Sequence, residues 1–346
     1  MDLEQQIAQL LLIGFKGDGL LPHGTLASDL RDLRLGGVIL FDRLLAEKLP
    51  DNNIRSAEQT SRLCTQLQDC AGGDLLIAVD QEGGMVSRFK AERGFPVTAS
   101  AGSLGRATTA DTAASAAITA EMLARLGINL NLAPVVDLDL ERDNPIIGRY
   151  ERSFSADPAA VCLHAEAWIG AHRQRGILSC LKHFPGHGSA VADSHLGFVD
   201  ISDSWREEEL LPYRSLIDSG KADLVMIGHL FNRRLDPLLP ATLSPAVIGG
   251  LLRRDLGFTG VVITDDMQMR AITERYGLVQ ACVMALTAGV DIIIVGNNLE
   301  YDPLLARKLA TGILQAVRQN QLSEERIGEA WQRVRRLKHH LTRKTA

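Results

Sequence analysis

Residues 182–195, KHFPGHGSAVADSH, gather Lys182, His183, His187, Asp193 and His195 into fourteen positions rich in Gly and Pro. Imidazole and carboxylate groups this close can pass protons near neutral pH or ligate a transition metal. A zinc or iron site would use His183, His187, Asp193 and His195, but the tighter His-x-His pairing common in metal barrels is absent. Further polar groups stand where apolar runs end: Asp80 after LLIAV, Asp137 after LAPVV, His229 after VMIG, and Asp265 with Asp266 after VVIT. Any one of these aspartates serves equally well as a helix N-cap. So many at the same point of successive runs are not explained by capping.

The elements that must position them are legible in the punctuation. Gly127, Gly176, Gly220, Gly257 and Gly289 each follow a helical stretch and lead within a few residues into a β-branched or Leu-rich run. Glycine after a helix takes a left-handed conformation without steric cost, which is how a helix is turned back toward a strand. Asp157-Pro158, Ser244-Pro245 and Asp302-Pro303 put a capping side chain before a proline suited to a first helical turn. The apolar runs at 11–15, 36–41, 75–80, 128–138, 177–184, 223–229, 260–266 and 291–297 number eight. Eight strands alternating with helices predict a (β/α)8 TIM-type barrel, with residues 1–346 forming one domain. A doubly wound nucleotide-binding sheet lacks its glycine fingerprint here, and no phosphate-binding P-loop is present. In a barrel the carboxyl ends of the strands share one rim, so the polar residues above converge there.

Composition narrows the partners. The 346 residues are 46% hydrophobic and 23% charged with a net charge of -5, an ordinary globular balance without the basic excess of a nucleic-acid binder. The basic end, RVRRLKHHLTRK, reads as the solvated face of a last helix. The five cysteines (Cys64, Cys70, Cys162, Cys180 and Cys282) are scattered without C-x-x-C spacing and read as reduced packing residues. The amino terminus has no basic leader or cleavage site, and its apolar run is too short to span a bilayer, so the expected location is cytoplasmic with no membrane partner.

Four segments in order, VDQEGGMVSRF (79–89), NPIIGRYERSF (144–154), KHFPGHG…DSH (182–195) and VVITDDMQM (261–269), resemble glycoside hydrolase family 3. Within that family the whole chain is similar to cytoplasmic single-domain β-N-acetylhexosaminidases of peptidoglycan recycling. The resemblance implies a retaining mechanism through a covalent glycosyl-enzyme, with Asp265 as nucleophile and Asp266 as its alternative. Many relatives take their acid/base carboxylate from a second, sandwich-type domain, and a chain ending at residue 346 leaves no room for one after a barrel. The subgroup instead uses a His–Asp pair on a loop, which maps to His195 and Asp193. Imidazole, with a pKa near ~6.5, suits proton transfer at neutral pH, and Asp193 would orient it.

By the same motif match, Asp80, Arg88, Arg152, Lys182 and His183 would bind the sugar, with His187 and His229 supporting them. Two departures stand out: GRYERSF is a residue or two longer than its counterpart, leaving Arg149 and Arg152 both as candidates for the sugar contact, and Met85 occupies a position where Arg is common. The implied substrate is a small carbohydrate or muropeptide bearing terminal β-linked N-acetylglucosamine, cleaved without metal or cofactor. A neutral histidine also admits phosphate as acceptor, so a glycoside phosphorylase is a variant of the same reading. A metal-dependent barrel hydrolase and a catalytically silent sugar-binding barrel are the readings from other classes.

Overall fold

The computed structural model describes residues 1–141, 143–192 and 197–342. Among the described residues ten strands form: β1 (Leu11–Gly14), β2 (Gly37–Ile39), β3 (Leu76–Val79), β4 (Leu130–Asn131), β5 (Leu178–Phe184), β6 (Val199–Asp200), β7 (Leu224–Ile227), β8 (Leu230–Phe231), β9 (Val261–Thr264) and β10 (Ile293–Val295). Eight pair in parallel in the order β10-β1-β2-β3-β4-β5-β7-β9, while β6 and β8 make a small separate pair. A parallel bridge between Ile263 and Ile292, with the Thr264 amide donating to the Ile292 carbonyl at 3.1 Å, closes the ring. The result is a (β/α)8 barrel, and each of the eight apolar runs supplies one of its strands.

Local chemistry accounts for the alternation. All five helix-ending glycines carry positive φ, from 65° at Gly220 to 119° at Gly289. The Asp157 carboxylate accepts the Ala159 amide at 3.1 Å, capping Pro158–Gln174, and the Ser244 hydroxyl accepts the Val247 amide at the start of Ala246–Asp255. The third expected cap is offset: Asp302 accepts the Leu304 amide at 2.9 Å, and the helix itself begins later, over Leu305–Arg318. Strands Leu76–Val79, Leu224–Ile227 and Val261–Thr264 are buried at every residue, as expected where helices cover one face and the barrel interior the other.

The run at 128–138 departs most from expectation, because regular strand is confined to Leu130–Asn131. Pro134 has no amide hydrogen to donate, so the ladder stops and resumes only at a single bridge between Val135 and Lys182. As far as Thr342, the C-terminal basic stretch lies on the helix Glu324–Thr342, and all five cysteines are free thiols. Among the described residues, no helix is long and apolar enough to cross a membrane.

Candidate active site

At the carboxyl ends of the strands opens a cavity of about 540 Å³, lined by Asp42, Arg43, Asp80, Glu82, Arg88, Arg152, Lys182, His183, Asp265 and Asp266 together with apolar residues. Lys182 and His183 both reach it although they are consecutive on β5, where side chains ordinarily alternate between faces. The pairing with β7 explains this. Leu181 faces Val225 and Phe184 faces Ile227, so three steps on one strand match two on the other, and the extra residue falls at Lys182–His183. Such a bulge re-aims a side chain without ending the strand.

Lys182 is 2% exposed, and its ammonium lies 2.9 Å from Asp80 Oδ1 and 2.7 Å from Glu82 Oε1. Arg152 grips Glu82 with two bonds of 2.8 Å, from Nε to Oε2 and from Nη2 to Oε1. Arg88 adds an ion pair to Asp80 at 3.5 Å, its guanidinium lying over the Phe41 ring. Burial alone would raise the Glu82 carboxyl, but the charges of Arg152 and then Lys182 outweigh it and hold that group well below its ordinary range. Burial likewise works against the Lys182 charge, and Asp80 and Glu82 reverse the effect. The cations are therefore fixed in their charged forms by carboxylates that themselves line the cavity. Gly83 permits the tight path after Glu82: its φ is 96°, and a Cβ there would stand 2.1 Å from the Ala99 carbonyl oxygen.

Behind the lining, Asp137 organises the next turn. Its carboxylate accepts the His183 ring Nδ1 at 2.7 Å, the His183 amide at 3.1 Å and the His187 amide at 2.8 Å. That leaves His183 Nε2 toward the cavity, 3.3 Å from Arg152 Nη2. Asp137 is also held low, since the His183 interactions outweigh the burial that would raise it. His187 is buried rather than on the lining, and burial followed by repulsion from His183 pushes its imidazole down to about 4.

From β9, Asp265 and Asp266 enter the cavity on the opposite side. The Asp265 amide donates to the Ile227 carbonyl, and Asp265 Oδ1 accepts the Asp266 amide at 2.8 Å. Asp266 Oδ1 accepts the amides of Gln268 at 3.0 Å and Gly296 at 2.9 Å, so that carboxylate ties β9 to β10. His229 bridges the Thr242 hydroxyl and the Asp266 carbonyl.

Of the residues singled out from sequence, Asp80, Arg88, Arg152, Lys182, His183 and Asp265 meet in one cavity. Arg149 is exposed and absent from its lining, whereas Arg152 is buried in it. Asp193 and His195 lie outside the described residues. Sequence reasoning missed Glu82, which joins Arg152 to Lys182, because it sits two positions beyond the strand-ending aspartate; the acidic repeat in DQEGG was the available signal.

A model of the family described as "Glycosyl hydrolase family 3 N terminal domain" matches residues 2–337. A β-hexosaminidase of Tolumonas auensis is 40% identical over 276 residues, 78% of either chain. The structure of a family 3 β-N-acetylglucosaminidase from Paenibacillus superposes with a TM-score of 0.89 at 33% identity, covering 100% of this chain and 64% of the Paenibacillus protein's length. That of a β-N-acetylhexosaminidase from Beutenbergia cavernae does so with 0.85 at 28% identity, covering 98% of this chain and 99% of that one.

Proposed function

The chain belongs to family 3 of the glycosyl hydrolases, and from that premise we propose that it is a retaining exo-β-N-acetylglucosaminidase, with Asp265 as nucleophile and Asp193–His195 as acid/base. The observation that carries the reading is one cavity in which Asp265 faces a sugar-sized arc of hydrogen-bonding groups: Asp80, Arg88, Arg152, Lys182 and His183. Those groups hold the glycone so that its anomeric carbon meets the Asp265 carboxylate. His195 protonates the departing oxygen as the Asp265–carbon bond forms, then takes a proton from water, whose attack on the same carbon releases the sugar with its configuration retained. The charged clamp suits this chemistry because its hydrogen bonds can tighten as positive charge develops on the ring.

Water is the acceptor favoured by the cavity. Once Asp265 is esterified, the described lining of the cavity carries the four carboxylates Asp42, Asp80, Glu82 and Asp266 against the four cations Arg43, Arg88, Arg152 and Lys182, so no excess of positive charge is left to draw in phosphate. A metal reading is disfavoured at His183, whose Nε2 faces the Arg152 guanidinium. The physiological substrate class is a muropeptide or smaller peptidoglycan fragment ending in β-linked N-acetylglucosamine, met in the cytoplasm.

Labelling with a 5-fluoro glycosyl fluoride and peptide mass analysis tests the mechanism: the adduct is expected on Asp265, and an adduct elsewhere or inverted product overturns it. Preference for a chromogenic β-glucoside over the β-N-acetylglucosaminide would overturn the substrate. Product analysis with added phosphate is expected to give free sugar; sugar 1-phosphate as the main product would make the enzyme a phosphorylase.

A further inference from the structure

Asp42 follows β2 and lines the cavity at 6% exposure, yet neither oxygen of its carboxylate accepts a hydrogen bond from any described residue; Oδ1 is fully sealed from solvent. Its backbone is tied down by contrast, the carbonyl accepting the Asn52 amide at 3.1 Å and Arg93 Nη1 at 3.4 Å. A buried carboxylate without donors is costly, so a chain that keeps one in its substrate cavity gains from what enters. On the same wall, Nε of Arg88 is a buried donor without an acceptor, and no ion pair joins it to Asp42. Both of these atoms are sealed, so what enters meets the other oxygen, Oδ2, which is not sealed, accepts from no described residue, and is free to accept from a hydroxyl group.

Resting on the exo-glycosidase reading, we propose that Asp42 is a specificity-determining residue that accepts a hydrogen bond from the glycone hydroxyls farthest from the anomeric carbon, at C4 or C6. Barrel order places it there. In the ring of eight, β3 stands opposite β9, and β2 is the neighbour of β3, so the Asp42–Arg88 wall faces Asp265 across the mouth. A pyranose with C1 at Asp265 turns its C4 edge to that wall. An ether oxygen at C4 has no hydrogen to give, so Asp42 selects a chain-terminal sugar over an extended one.

The test compares the parent with Asp42→Asn and Asp42→Ser on p-nitrophenyl β-N-acetylglucosaminide and its 3-, 4- and 6-deoxy analogues. Both substitutions are expected to lower kcat/KM on the full substrate about tenfold to a hundredfold and to leave it nearly unchanged on the 4-deoxy or the 6-deoxy analogue. The melting temperature should equal or exceed the parent's, because a carboxylate without donors contributes nothing to the fold. Equal losses on every analogue, dependence on the C3 hydroxyl alone, unchanged kinetics throughout, or failure of both variants to fold would each overturn the proposal. The parent's preference between glucoside and N-acetylglucosaminide is read in the same plates, and its failure touches the substrate assignment without touching this coupling.

Discussion

Glu82 shows how one side chain can hold a site without being among its recognisable residues. Its carboxylate is the shared counter-ion of Arg152 and Lys182, both nearly removed from solvent. Replacing Glu82 with Gln keeps the shape but leaves two buried cations with one compensating charge fewer. Breaking a buried pair from one side costs about 3–5 kcal/mol, so urea unfolding of Glu82→Gln should show a loss of that size together with a lower kcat/KM. A loss below about 1 kcal/mol would mean the cluster behaves like a surface pair. The sign with pH follows from the depressed carboxyls of Glu82 and Asp137. The stability they contribute is complete above their unfolded values and is lost progressively as pH falls from those values through the lower folded ones, so this cluster weakens only in acid.

At the scale of elements, the loop after β5 is gripped from two sides. Asp137 takes the amides of His183 and His187, while Glu209 takes those of Gly188 at 3.0 Å and Ser189 at 3.4 Å with the Ser189 hydroxyl at 2.6 Å. Glu209 lies so close that a Cβ on Gly186 would stand 2.6 Å from its own Cβ. Burial pushes the Glu209 carboxyl up to about 7 despite the Ser189 hydroxyl and the amides it accepts. A folded value above the unfolded one means that stability falls as pH rises from about 4.5 to about 7. Glu209→Gln removes that dependence. Its unfolding free energy minus the parent's should therefore climb across this window by ~3 kcal/mol and level off above it. His187, lowered to about 4, slopes the other way in both proteins and cancels in the difference; a flat difference would show that Glu209 ionises normally. Glycine and proline punctuation made the alternation of strand and helix legible, because those signals act within a few residues. The bulge at Lys182–His183 was not legible, since it depends on the register between β5 and β7, which no local pattern carries. The rim aspartates could be read as a set for the same reason the strands could, whereas Arg152 was separable from Arg149 only through its long-range grip on Glu82.

For the whole molecule, the closing seam of the barrel lies between β9 and β10, at the bridge Ile263–Ile292. Asp291, fully buried at the amino end of β10, reinforces it: its amide donates to the Val262 carbonyl at 2.8 Å, and its Oδ2 accepts the Val262 amide at 3.0 Å. The same carboxylate draws in Arg253 at 2.6 Å, Arg326 at 2.8 Å and Arg333 at 3.1 Å, binding the helices Ala246–Asp255 and Glu324–Thr342 to the seam. The proposed catalytic groups occupy the carboxyl ends of these strands, while this clamp sits at the opposite face, where barrel enzymes keep stability rather than chemistry. Asp291→Asn leaves three largely buried guanidinium groups around a neutral side chain, so denaturant unfolding should register a loss of about 3–5 kcal/mol. At a temperature where the variant remains folded, kcat/KM should stay within about twofold of the parent, because a distant structural residue shifts the folded fraction and leaves the barrier alone. A large fall in kcat/KM under those conditions would show that the seam transmits strain along β9 to Asp265, and that closing the barrel and aligning the proposed nucleophile are one event.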